Sequence, residues 1–152
     1  MNYPFTHIKE VNSRDIVYSG NLKCVVRLLK NMVADMPEYK KRVAKKLSSY
    51  DLASIAYHMD NSLAMPECLR LGLIEKTRLH LKSLLSSKAY RDMFFVPDKS
   101  RKIFDNDDKV RALEVLADEC TELAKAIVKE LRPNTFDYDP SILANKNVTK
   151  TK

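Results

Sequence analysis

Two groups of side chains in this sequence have the type and spacing to do chemistry: carboxylates one helical turn apart, and lysines in a run. Glu119 and Glu122 sit in Asp118-Glu119-Cys120-Thr121-Glu122-Leu123, where carboxylates on successive turns of one helix can share a divalent cation. The second group is Lys40, Lys41, Arg42, Lys45 and Lys46, with Lys23, Arg27 and Lys30 on the stretch before. Like charges within a turn repel one another, and a bound polyanion relieves that repulsion. These eight residues are therefore the expected nucleic-acid-binding surface, neutralising phosphates without reading bases. His58 and His80 stand alone, without the upstream Arg that marks helical ribonucleases, and read as core-edge side chains. With no phosphate-binding glycine loop and no nucleophile elbow, no catalytic residue, metal ligand or cofactor site is expected.

The rest of the chain has to position that basic run. Its 152 residues are the size of one ordinary domain, and two glycines with no tryptophan leave too little turn punctuation for an all-β or βαβ chain. The fold class is all-α. The net charge is +7, and the excess is concentrated: from Lys23 to Lys102 there are 17 Lys or Arg against 8 Asp or Glu, whereas the ends are slightly acidic. Such a field steers nucleic acid or an anionic surface toward the middle of the chain.

Leu22, Val25, Val26, Leu29, Met32, Val33 and Met36 recur every three or four residues, which predicts a first helix capped by Asn21. Pro37 ends it and opens a second helix, with core positions Val43 to Leu63 and an irregularity at Ser48-Ser49-Tyr50-Asp51, whose small polar side chains compete for backbone bonds. A third run carries Leu69 to Leu85. Residues 88–105 then read as a long aromatic and basic loop, whose Phe94, Phe95 and Phe104 are expected to cap one end of the structure. Asn106-Asp107-Asp108 caps a fourth helix, Val110 to Leu131. The organisation expected is an N-terminal arm (1–20), an antiparallel up-down-up-down four-helix bundle (21–132) and a flexible polar tail (133–152).

Cys24, Cys68 and Cys120 are odd in number and widely spaced, which favours reduced core cysteines over disulfides or zinc. No stretch approaches the ~20 apolar residues of a membrane span, and no signal-peptide run opens the chain. A cytoplasmic protein is expected.

With the helices placed, Met36-Pro37 followed by Lys40-Lys41-Arg42, the run Leu69 to Leu85, and Lys109 to Val128 resemble the four-helix-bundle family of the accessory variability determinant of diversity-generating retroelements and of proteins encoded in 23S rRNA intervening sequences. The resemblance implies a non-enzymatic homopentamer that binds RNA or DNA beside a reverse transcriptase. Two other readings stand beside it. One is a structural bundle docking an acidic partner through the basic face. The other is a magnesium-dependent hydrolase, because Asp118 to Leu123 is similar to the acidic helix of MazG-type nucleotide pyrophosphohydrolases.

Overall fold

Apolar periodicity sets most of the architecture, and all regular structure among the described residues is helical. The computed structural model describes residues 4–65 and 71–131. The tail expected at 133–152, together with Cys68, lies outside them. In chain order the helices are α1 (Pro4–Val17), α2 (Asn21–Asp35), α3 (Glu38–Ala44), α4 (Ser49–Tyr57), a 3-10 turn (Asp60–Leu63), α5 (Gly72–Ser86), α6 (Lys88–Arg91) and α7 (Asp107–Leu131). Helix α7 lies along α5 and α3, and α2 lies against α4. Leu22, Leu29, Ile55, Leu81, Leu113 and Leu116 lose all or nearly all contact with water between these helices. Each buried side chain of this size is worth about 2 kcal/mol.

Several local expectations change. Residues 4–17 form a full helix, which docks through Val11 and His7 and leaves Phe5, Ile8 and Ile16 facing out. Ser19 and Gly20 take positive φ, reversing the chain so that α2 folds back beside α1. Asn21 is no cap: it is buried, and its Nδ2 donates to Leu63 O at 2.8 Å and Met65 O at 2.9 Å, tying α2 to the turn after the 3-10 segment. The second expected helix is two helices, broken between Ala44 and Ser49; of the expected irregularity at Ser48-Ser49-Tyr50-Asp51 only Ser48 lies in the break, and the other three residues open α4. Asn106 does cap α7, its Oδ1 accepting from Lys109 N at 3.0 Å.

Residues 92–106 are held more tightly than a plain loop. Val96 N donates to Arg101 O and Ile103 N to Phe94 O, closing a hairpin-like turn that buries Val96, Ile103 and Phe104. Phe94 packs on the core, while Phe95 stays 40% exposed, so the expected aromatic cap is made by only part of the trio. No described helix is long and apolar enough to cross a membrane.

The Nε2 atom of His80 is buried without a partner, and burial holds the imidazole down to about 4. An unfolded chain protonates this side chain near pH 6.5, so between pH 6.5 and 4 the unfolded state carries the extra proton. Stability is therefore lost as pH falls through that window. His7 and His58 are lowered by burial in the same direction. Thermal melts from pH 7.5 down to pH 4.5 should show a falling midpoint, and His80→Leu should remove roughly 2 kcal/mol of that pH dependence.

Candidate functional site

Of the eight basic residues, one is engaged inside the fold. Lys40 turns toward α7, where its Nζ donates to Glu119 Oε1 at 2.6 Å, and this bond raises the ammonium pKa above its usual range. Its charge is already answered. Lys23, Arg27 and Lys30 form an exposed stripe on α2, with Arg27 bonded to Cys24 Sγ at 3.3 Å. Arg42 and Lys46 are exposed on and just after α3.

What α2 and α3 do bring together is Lys30, Lys41 and Lys45. They line a groove of about 470 Å³ whose floor is Val33, Leu47 and Leu52 and whose far edge is Ser48 and Ser49 at the start of α4. No carboxylate lines it. Glu38 approaches Lys41 at 3.7 Å, but it is 80% exposed, and so open a pair contributes little. Like charges gathered in one concavity raise its positive potential.

The Ser48 edge is built with care. Ser48 caps α4: its Oγ accepts from Asp51 N at 3.2 Å, while Ser48 N and Oγ both donate to Asp51 Oδ2 at 3.0 and 3.1 Å. This reciprocal box, Ser48-x-x-Asp51, satisfies amides that the first turn would leave open. Asp51 is 1% exposed, and two cations stabilise its charge, Arg101 Nη2 at 2.6 Å and Lys109 Nζ at 3.5 Å. Beside it the Tyr50 hydroxyl donates to Asp98, and His7 stacks on the Tyr50 ring at 3.6 Å. Burial and the Asp98 bond both push the Tyr50 pKa up. Ser48, Ser49, Asp51 and Arg101 were absent from the sequence-based site. The capping-box spacing was the available signal for Ser48 and Asp51; nothing local singles out Ser49 or ties Arg101 to them.

The carboxylates proposed for magnesium are engaged elsewhere. Glu119 holds Lys40, and Glu122 lies 3.5 Å from Lys125. Among the described residues no group of three His, Cys, Asp or Glu converges as a metal site would require. Cys120 between them is fully buried, and burial pushes its thiol up to about 12.

An all-helical chain of this size with a lysine groove fits many families. Sequence comparison decides among them. The chain belongs to the family of cGAS/DncV-like nucleotidyltransferase C-terminal helical domains, whose model matches residues 9–131. Among its relatives, a cyclic dinucleotide synthase, CdnE, of Yersinia aleksiciae is 29% identical over 138 residues, 90% of this chain and 36% of that protein. A c-di-GMP synthase of Flavobacteriaceae sp. genome_bin_11 is 28% identical over 115 residues, 76% of this chain and 31% of that protein. The solved STING-associated CdnE c-di-GMP synthase of Capnocytophaga granulosa superposes with a TM-score of 0.70 at 28% identity, over 80% of this chain and 38% of that one. The chain thus spans about a third of the length of these relatives.

This membership overturns the retroelement resemblance. That likeness rested on apolar spacings, which any antiparallel helical packing of this size repeats. The expectations of a non-enzymatic accessory protein, a reverse transcriptase, an RNA or DNA partner and a pentameric barrel fall with it. So do the structural bundle docking an acidic partner and the MazG-type hydrolase, the latter also lacking its carboxylate cluster among the described residues.

Asp51 is the residue on which the groove edge depends. Asp51→Ala removes the carboxylate half of the capping box and leaves Arg101 and Lys109 facing each other without their shared anion. Urea unfolding of the variant should show a loss of about 3 kcal/mol, well beyond that of an ordinary cap deletion.

Proposed function

We propose that this chain is the helical lobe of a nucleotidyltransferase that makes a cyclic dinucleotide, and that the Lys30–Lys41–Lys45 groove holds the polyphosphate of a nucleotide substrate. The observation that carries the reading is the convergence of Lys30 of α2, Lys41 of α3 and Lys45 just past α3 on a cavity that no carboxylate among the described residues lines, in a chain of this family. A polyphosphate supplies the negative charge that the three ammonium groups lack. Ser49 and Tyr50 open α4, so their backbone N–H groups belong to the first turn and have no carbonyl within the helix to bond. They add the positive end of the helix dipole to the same edge. The Ser48 hydroxyl proton is committed to Asp51, so the exposed Ser49 is the hydroxyl better placed to donate to a phosphate oxygen.

Nucleotidyl transfer draws on divalent cations held by carboxylates, which orient phosphates and stabilise developing charge. The described residues do not fit such a site, since no three ligating groups converge. In this reading the helical lobe binds and orients the polyphosphate, and transfer belongs to a catalytic lobe corresponding to the rest of the relatives' length. The up-down-up-down order of the stretches 21–35, 38–57, 72–86 and 107–131 is part of the proposal, supported by the packing of α5 on α7 and of α2 on α4. A cytoplasmic setting, where nucleoside triphosphates are plentiful, belongs to it as well; the unpaired Cys24 and Cys120 support it.

Titration calorimetry with GTP and with inorganic tripolyphosphate tests the groove. Both should bind the wild-type chain, with affinity falling as salt rises. Reversal of Lys30, Lys41 and Lys45 to Glu should weaken both by at least about a hundredfold. Lys40→Met should leave both unchanged, because that ammonium is already paired with Glu119. Equal loss in the two variants would show that the groove is not the site.

A further inference from the structure

We propose that Arg101 is a positioning residue for the groove: through the buried Asp51 carboxylate it sets the Ser48 cap, and so the edge of α4 that faces the phosphate. The inference rests on the groove reading above and adds to it a residue 50 positions away that lines no part of the cavity.

The two oxygens of Asp51 have separate tasks. Oδ2 takes the backbone N–H and hydroxyl of Ser48 and, more distantly, Lys109. Oδ1 takes Arg101 Nη2 at 2.6 Å. A carboxylate is free to turn about its last bond, and what stops Asp51 from turning is the short bond on the oxygen that Ser48 does not use. Lys109 cannot replace it: at 3.5 Å it is the looser partner, it approaches the Ser48-bound oxygen, and it is shared with Asp105 at 3.1 Å. Without Arg101, nothing holds Oδ1, and the carboxylate can rotate away from the Ser48 donors.

Arg101 is itself held from behind. Its carbonyl accepts from Val96 N at 3.0 Å, and its neighbour Lys102 bridges Phe95 across the turn. The turn at its tip is fixed by Lys99, which adopts a left-handed φ of 62°, and by Asp98, whose Oδ1 accepts from Ser100 N at 2.8 Å. Asp98 also takes the Tyr50 hydroxyl, so the loop grips the first two residues after the cap edge, Tyr50 and Asp51, at two points. Holding the loop in place does not require Arg101, because Val96 and Ile103 are each 1% exposed and anchor it on the core. The guanidinium is the part of the loop that reaches the cap.

The test uses the full chain and the variants R101A, R101K and I103A, with GTP affinity from calorimetry, thermal midpoint, and hydrogen exchange at the Asp51 amide, which donates to Ser48 Oγ. R101A should weaken GTP about tenfold and lose protection at the Asp51 amide, with R101K recovering most of both. I103A should lower the midpoint at least as far as R101A, yet keep GTP affinity within about twofold and Asp51 protection intact. Wild-type affinity and protection in R101A would overturn the inference, as would an I103A variant that loses both as R101A does. If the wild-type chain takes up no GTP, the groove reading fails by itself, and the Asp51 amide still reports whether Arg101 sets the cap.

Discussion

A single buried carboxylate, Asp51, joins three parts of the molecule. It closes the cap of α4 at Ser48, receives Arg101 from the loop after α6, and receives Lys109 from the first turns of α7. A charge at 1% exposure is tolerated only when its partners satisfy it fully, and removing any one of them costs more than that bond alone is worth. The break between α3 and α4 follows from this. The chain leaves the helix after Ala44 so that Ser48 can take up extended backbone, and the capping box then restarts it. That same break opens the groove, because it places the first turn of α4 across from Lys41 and Lys45.

Sequence pattern showed the long helices and missed what joins them. Leu22 to Met36 and Val110 to Leu131 are legible because burial alone selects their residues, and burial follows the helical period. Helix α1 was harder, since it docks through His7, Arg14 and Val11 and exposes several of its apolar residues, so its periodicity points the wrong way. Asn21 has the residue type and position of a cap, but a tertiary bond to Leu63 and Met65 claimed its amide. Within the basic run, residue type was legible and pairing was not. Lys40 is silenced by Glu119, 79 residues further along, whereas Lys41 beside it faces the groove.

The family was misread for a related reason. Stripes of Leu, Val and Ile report that helices pack, and many unrelated proteins pack helices with the same spacing. Similarity over residues 9–131 is what places the chain in its family, whereas the convergence of lysines on a groove is a feature of the fold that singles out no family. A charge count along the sequence registers those lysines as a run on a solvated face. Only the fold shows which of them meet.

The short helix α3 carries an implication for how such proteins diversify. Of its seven residues only Ala44 is buried, and α3 is bounded by Pro37 on one side and the Ser48 cap on the other. Its ends are thus set by the backbone chemistry of its neighbours, while Lys40 ties its middle to α7 through Glu119. Lys45, just past its end, is exposed and stands clear of the core beneath, whereas Lys41 is largely covered. A substitution at Lys45 can therefore change the charge at the groove's rim at little cost to folding, while the framework around Asp51 stays as it is.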